Sequence, residues 1–559
     1  MFEASVAPVA GILWLSALVA CLPLLTFFIA LAGFKLKAHW SAVAALVVAL
    51  VVAVVGFKMP VGLSLLSATQ GAVYGFFPIA YIIVMAVWFY QVTVLSGRFN
   101  DLRSFFDRIG GGDVRIQAVL IAFCFGGLLE ALAGFGAPIA ITATMVLALG
   151  VSPLKAAMVC LICNTAPVAY GAAGTPITTA GNIVGGTNGA ETAEHIAALV
   201  GVQAPLFSFV VPLLACIVLD GKRGLKDCWL PALVTGISFG IVQWWCATHF
   251  SYELTDVVAA LVSLGISIVF LSMWKPKEVD AVRERFGLAP LAETKIEALT
   301  PVRAWMALLP YVIVVCVFGV SKLVPVIQNF LTSADVAIPW PGLSGNVLNA
   351  SGSDPGTTYT FTWLSNPGTA LLVAGLLTAI AYSIFNGKGQ FKISVWDAVK
   401  EIWVQFWKMR YSTLTIVLVL ALAYVMNFSG QTISIGQLLA SAGAAFAFLS
   451  PILGWVGTAV TGSDTSANAL FSSLQFEAAT NNAAFANTTP NLFLASNTIG
   501  GVVGKMISPQ SLAIAAIATK ETESRIFKKV LPWSIGFLVV LCILIYLQAG
   551  PLLGMLPEM

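Results

Sequence analysis

Residues 126–176 read GGLLEALAGFGAPIAITATMVLALGVSPLKAAMVCLICNTAPVAYGAAGTP, and this stretch decides the fold. It is apolar enough for a bilayer, yet glycine and proline interrupt it. It also holds a carboxylate, Glu130, and an Asn164-Thr165 pair. A lipid-facing helix has no use for such groups, whereas a polar cavity at membrane depth, lined by broken helices, uses all of them. A related pattern recurs near the C-terminus. Gly126, Ala131 and Gly134 are matched at the same offsets by Gly454, Ala459 and Gly462. Asn164-Thr165, Gly171, Thr175-Pro176 and Ala180 are matched by Asn497-Thr498, Gly504, Ser508-Pro509 and Ala513. The blocks are spaced differently, with 30 residues from Gly134 to Asn164 and 35 from Gly462 to Asn497, and the extra length fits the loop NNAAFANTTPN.

Outward from this stretch, composition sets the class. Of 559 residues, 59% are hydrophobic and only 9% charged, too few to cover a soluble surface. Apolar runs extend from end to end, so the chain is a polytopic membrane protein without a sizeable soluble domain. A net charge of +3 gives no reason to expect nucleic acid. The nine cysteines fall mostly inside apolar segments and read as packing residues, Cys160 and Cys163 included. The N-terminus lacks the basic region of a cleaved signal, so the first apolar run is expected to be retained.

Full spans are expected at 10–32, 41–57, 68–96, 204–219, 229–248, 256–274, 304–325, 367–386, 411–428, 491–516 and 530–549, and a broken span after residue 150 makes about twelve. Residues 184–203 read as a loop. Arginines between 98 and 115, the charged segment 275–303, and the basic residues of 388–410 and 520–529 mark cytoplasmic loops. The segments 331–366, 429–436 and 477–490 lack Lys and Arg and are expected outside, with both termini periplasmic. By this parity 116–150 enters from the cytoplasm and returns to it, and 437–476 does the same from outside. The expected fold is therefore all-α, about twelve transmembrane helices plus two re-entrant hairpins in an inverted-topology repeat. Residues 1–225 form the first repeat and 301–559 the second. Residues 226–300 supply a connecting helical hairpin and a charged cytoplasmic linker.

Such a repeat places substrate where the hairpin tips and helix breaks of both halves converge. The expected tips are Gly134 to Pro138 in one half and Gly462 to Ser466 in the other, with Gly134, Phe135, Gly136, Ala137, Asp464, Thr465 and Ser466 as expected substrate-binding residues. A half-helix starting there offers unpaired N–H groups to a carboxylate. Asn164, Thr165, Asn497 and Thr498 supply neutral donors and acceptors at the breaks. A charge at a helix centre costs about 2.5–3.5 kcal/mol, so Glu130, Asp464 and Lys505 each need a reason. Glu130 and Asp464 are the expected proton carriers. Lys505 either pairs with one of them, binds an anionic substrate, or snorkels from a span end. All three histidines fall in loops or at span ends. No metal-ligand spacing and no nucleophile–base pair falls in the bilayer, so neither a metal, a cofactor nor an enzyme activity is expected.

GGLLEALAGFGAPIAITATMVLALG, LICNTAPVAYGAAGTPI and GSDTSANALFSSLQ together resemble the bacterial lactate permease family, over nearly the whole chain in length and span pattern. The resemblance implies uptake of L-lactate, often with D-lactate and glycolate, in symport with protons across the bacterial inner membrane. The family is grouped with wider ion transporters, among which sodium-coupled dicarboxylate carriers bind carboxylate through Ser-Asn-Thr at hairpin tips. Ser496-Asn497-Thr498 reproduces that tripeptide, while Cys163 replaces its serine in the first copy. Whether tips or breaks hold the carboxylate stays open at this stage. So does the alternative of another small carboxylate, such as gluconate or a dicarboxylate, coupled to sodium.

Overall fold

The computed structural model describes residues 1–34, 36–101, 111–133, 137–290, 300–350, 352, 354–387, 390–391 and 393–557. Its helices of ten residues or more, in chain order, begin with α1 (Leu13–Leu31), α2 (Ala38–Gly56), α3 (Val61–Leu95) and α4 (Val114–Leu132). Then come α5 (Ala137–Ala148), α6 (Pro153–Cys163), α7 (Gly171–Gly185), α8 (Gly189–Gln203), α9 (Pro205–His249) and α10 (Thr255–Met273). The second half holds α11 (Pro301–Leu323), α12 (Pro367–Ile384), α13 (Val395–Lys408), α14 (Arg410–Phe428) and α15 (Gln431–Ala440). It closes with α16 (Ala445–Thr461), α17 (Asp464–Thr480), α18 (Asn491–Lys505), α19 (Pro509–Thr519) and α20 (Glu523–Gln548).

Among the described residues, eleven helices are long and apolar enough to cross a membrane, and a twelfth forms if the bent pair around residue 165 counts as one span. The expected count of about twelve emerges once two elements are assigned. α9 is 45 residues long but leaves helical geometry at Asp220 and Gly221, where Gly221 takes φ +63°, and so makes two crossings. α4 is wholly buried and is followed by the short α5, and these two helices occupy the positions of the two arms expected for 116–150. The residues between these two arms, Gly134, Phe135 and Gly136, lie outside the described residues.

Local sequence explains the boundaries. Proline opens α6, α9, α11, α12 and α19, where its missing N–H is not needed. In the second hairpin, Gly462 at φ +77° ends α16, a conformation that costs glycine little. The Ser463 hydroxyl then accepts the Ser466 N–H and starts α17, so two residues reverse the chain. α16 and α18 pack backbone to backbone. A Cβ on Gly454, Gly500 or Gly504 would stand 1.9, 2.1 or 2.3 Å from the carbonyl oxygens of Asn497, Pro451 and Trp455. Small residues that let helices approach this closely are the usual basis of packing in lipid, where no hydrophobic drive separates helix from solvent.

The loops sort onto two faces. On one, Arg115 binds Asp113, Asp220 and Asp227, each at 2.9 Å, and Arg303 pairs with Asp101. This gathers the basic segments expected in the cytoplasm. On the other, Ala4, Gly186, Asp354, Gly430 and Glu477 line one cavity of about 380 Å³, which unites the Lys/Arg-poor segments. Two small sheets, absent from the all-helical expectation, stiffen that face. β1 (Phe2–Glu3) pairs in parallel with β3 (Val347–Leu348), and β2 (Val336–Pro339) runs antiparallel to β4 (Thr358–Phe361). The expected loop at 184–203 is corrected: most of it is α8. Its charges made it read as a loop, but Ala193, Ile196, Ala197 and Val200 recur at helical spacing and are buried on one face.

Candidate substrate and proton site

Both halves of the sequence pattern meet at one small cavity of about 30 Å³, lined by Glu130, Gly171, Thr175, Asp464, Thr465 and Lys505. The first half contributes the end of α4 and the break between α6 and α7. α6 stops at Asn164, and Pro167 prevents its continuation. The two flanking helical segments are bent by 63°. The chain re-enters helix through Ala172, Ala173 and Gly174, at φ +46°, +56° and +70°. For two alanines this left-handed conformation costs about 1–2 kcal/mol each, strain that persists only where surroundings enforce it. The second half contributes the hairpin turn and the last residue of α18.

Glu130 is 2% exposed, and both its oxygens are engaged. Lys505 Nζ forms an ion pair with Oε1, and Asn164 Nδ2 donates to Oε2 at 3.0 Å. Gly171 makes room, since a Cβ there would stand 3.1 Å from Oε1. Lys505 thus pairs with a carboxylate, one of the readings open to it, and does not snorkel from a span end. Asp464 is the first residue of α17, and its Oδ1 accepts the Thr458 hydroxyl at 3.3 Å. Its Oδ2 is buried without a hydrogen-bond partner among the described residues. Lys505 lines the same cavity as Asp464. The Thr175 and Thr465 hydroxyls meet at 3.3 Å and join the two halves directly.

Other expected residues stand elsewhere. Asn497 and Thr498 lie inside an unbroken α18, not at a break, because no proline follows them as Pro167 follows Asn164. Both bond to Asn468 Oδ1 at 3.0 Å, and Gln475 Nε2 donates to Asn497 Oδ1 at 3.0 Å, which staples α17 to α18. Thr165 donates to its own helix at Ile162. Ser466 is buried with its N–H on Ser463, beside the cavity and not lining it. Ala137 opens α5.

Thr458 and Gly501 are contributors that the sequence reading missed. A Cβ on Gly501 would stand 1.9 Å from Asp464 Oδ1. A signal for Thr458 existed, for it follows Gly454 by four residues, as Glu130 follows Gly126. By the same offsets Ala172 stands where Lys505 does. The carboxylate and the ammonium thus come from different positions of the two blocks, each opposite an uncharged counterpart.

The family model described as L-lactate permease matches residues 16–551. An L-lactate permease of Bacillus subtilis (strain 168) is 38% identical, with 98% of this chain and 99% of that protein aligned. The glycolate permease GlcA of Escherichia coli (strain K12) and an L-lactate permease of the same strain are each 38% identical, at 98% coverage of both chains. Among solved structures, the Alcanivorax borkumensis YdaH transporter aligns over 87% of this chain and 89% of its own, at 14% identity and a TM-score of 0.42.

Proposed function

The chain belongs to the L-lactate permease family, and on that premise we propose that it is a secondary transporter taking up L-lactate, with D-lactate and glycolate, in symport with a proton. Its relatives are permeases, and this chain is a transporter, not an enzyme. The observation that supports proton coupling is the Glu130–Lys505 ion pair, whose members come from opposite halves. Breaking such a buried pair by moving one partner is costly. A proton on Glu130 removes the charge that holds Lys505, and the freed ammonium can take the lactate carboxylate. The lactate hydroxyl is read by Asp464 or Thr465, beside half-helix N-termini.

Summed over the pair, the proton and the anion, the site is neutral when empty and neutral when loaded. Both forms can therefore cross the low-dielectric barrier, and one proton per lactate makes the cycle electroneutral. A cavity of about 30 Å³ holds a water or two and no three-carbon acid, so substrate access requires the halves 1–225 and 301–559 to shift against each other. In this reading the proton site and the carboxylate site are the same few side chains.

The test is uptake into proteoliposomes under an imposed inside-alkaline pH gradient, compared with a sodium gradient. Competition by lactate enantiomers, glycolate, pyruvate, gluconate and succinate fixes the substrate class. Accumulation of lactate that follows the pH gradient and ignores sodium is expected. Uptake indifferent to the pH gradient overturns proton coupling.

A further inference from the structure

A second acidic group lies behind the helix break, and the ion pair makes no use of it. Asp256, at the start of α10, is fully buried. Its Oδ1 accepts Gln243 Nε2 at 2.9 Å, and its Oδ2 has no hydrogen-bond partner among the described residues. The same Gln243 nitrogen donates to the Ala166 carbonyl at 3.1 Å, within the break that separates α6 from α7. α10 packs against the Glu130 end of α4. Among the described residues, neither oxygen of Asp256 meets a Lys, Arg or His.

One turn before Asp256, the chain opens on a cavity of about 270 Å³ on the Lys/Arg-poor face, lined in part by Thr178, Glu194, Tyr252 and Glu253. Glu253 is nearly buried and accepts the Ser251 hydroxyl at 2.7 Å. The Tyr252 hydroxyl meets Thr178 at 3.0 Å, and Thr178 donates to the Gly174 carbonyl in the strained break. Two sets of polar contacts thus reach the break, one from Tyr252 through Thr178 to Gly174 and one from Asp256 through Gln243 to Ala166.

We propose that Asp256 is a proton-relay residue, passing protons between the acidic cavity and Glu130. The inference rests on the proton-coupled reading above. Asp256 gives up its proton, which water carries to the Glu130 carboxylate; the Asp256 carboxylate then takes a proton from the cavity by way of Glu253. No net charge accumulates on the relay over a cycle. The titratable groups facing Asp256 from packed elements are Glu130 on α4, Tyr170 in the break and Cys246 on α9. Cys124 also faces α10, but opposite Ser263, two turns further on.

The test compares wild type with Asp256→Asn and Asp256→Glu, as full-length protein in proteoliposomes carrying an internal pH dye. With Asp256→Asn, accumulation driven by the pH gradient and lactate-linked proton influx should each fall at least about tenfold. Exchange of labelled lactate at equal pH should persist, and Asp256→Glu should restore coupling. If Asp256→Asn does not fold, Gln243→Met decides: removing the donor to Asp256 should displace the pH profile of uptake by about half a unit or more. Wild-type coupling in Asp256→Asn, or an unchanged profile in Gln243→Met, overturns the relay. If the wild-type protein itself moves no protons with lactate, it is the proton-coupled reading that fails.

Discussion

Lys505 illustrates how a residue's letter and its neighbours carry different information. In the sequence it is a lysine near a span end, compatible with snorkelling. In the fold it is buried, its ammonium engaged by a glutamate from the other half of the chain. Glu130 and Asp464 were legible because a charge in an apolar run needs a partner. Asp256 was not, because it stands at the start of such a run and reads as a solvated boundary. Asn497 and Thr498 misled in the other direction, since letters that suit a binding break also suit a staple between two helices. Replacing Glu130 with Gln is expected to abolish gradient-driven accumulation and to lower stability by about 3 kcal/mol or more, because Lys505 loses its buried countercharge. The double variant Glu130→Gln/Lys505→Met should recover most of that stability and none of the transport. Denaturant melts and uptake on the same preparations check both. Gly501→Ala is expected to displace Asp464 and remove uptake, with a stability cost of about 1–3 kcal/mol from the overlap.

Helices, hairpins and breaks were read well where proline or glycine punctuates the chain and poorly where nothing does. The break at Pro167 and the turn at Gly462 were visible as letters. α8 was hidden because half its surface is polar, and the strands at 336–339 and 358–361 were too short to stand out. The break equivalent to Asn164 comes later in the second half, at Met506–Ser508, after α18 has delivered Lys505. That delay gives the second block its cation. The turn of the second hairpin depends on one cap, so Ser463→Ala should cost about 0.5–2 kcal/mol and loosen the Asp464 end of α17. Hydrogen exchange at the first turn of α17 should speed up in this variant, while α18 stays protected.

Across the whole molecule, the sorting of loops onto two faces agrees with the distribution of basic residues, which was readable because Lys and Arg are so few. How the halves interlock was not readable, since that depends on side chains hundreds of residues apart. The pairing of β1 with β3 fixes the N-terminus on the same face as residues 331–366. A membrane-impermeant thiol reagent added to intact cells should therefore label Ser5→Cys and Asn346→Cys alike, in a background without the native cysteines. Lys222→Cys should react only after permeabilisation. Opposite labelling of the first two positions would overturn the face assignment.

The Glu130–Lys505 pair also sets a timetable for making the protein. Its members are 375 residues apart. At a synthesis rate of about 5–20 residues per second, Glu130 waits roughly 20–75 s in the membrane before its lysine is translated. During that interval the carboxylate lacks the lysine that pairs with it in the folded protein. A chain truncated before residue 505 should therefore be degraded quickly. Supplying the missing half as a separate polypeptide should rescue it.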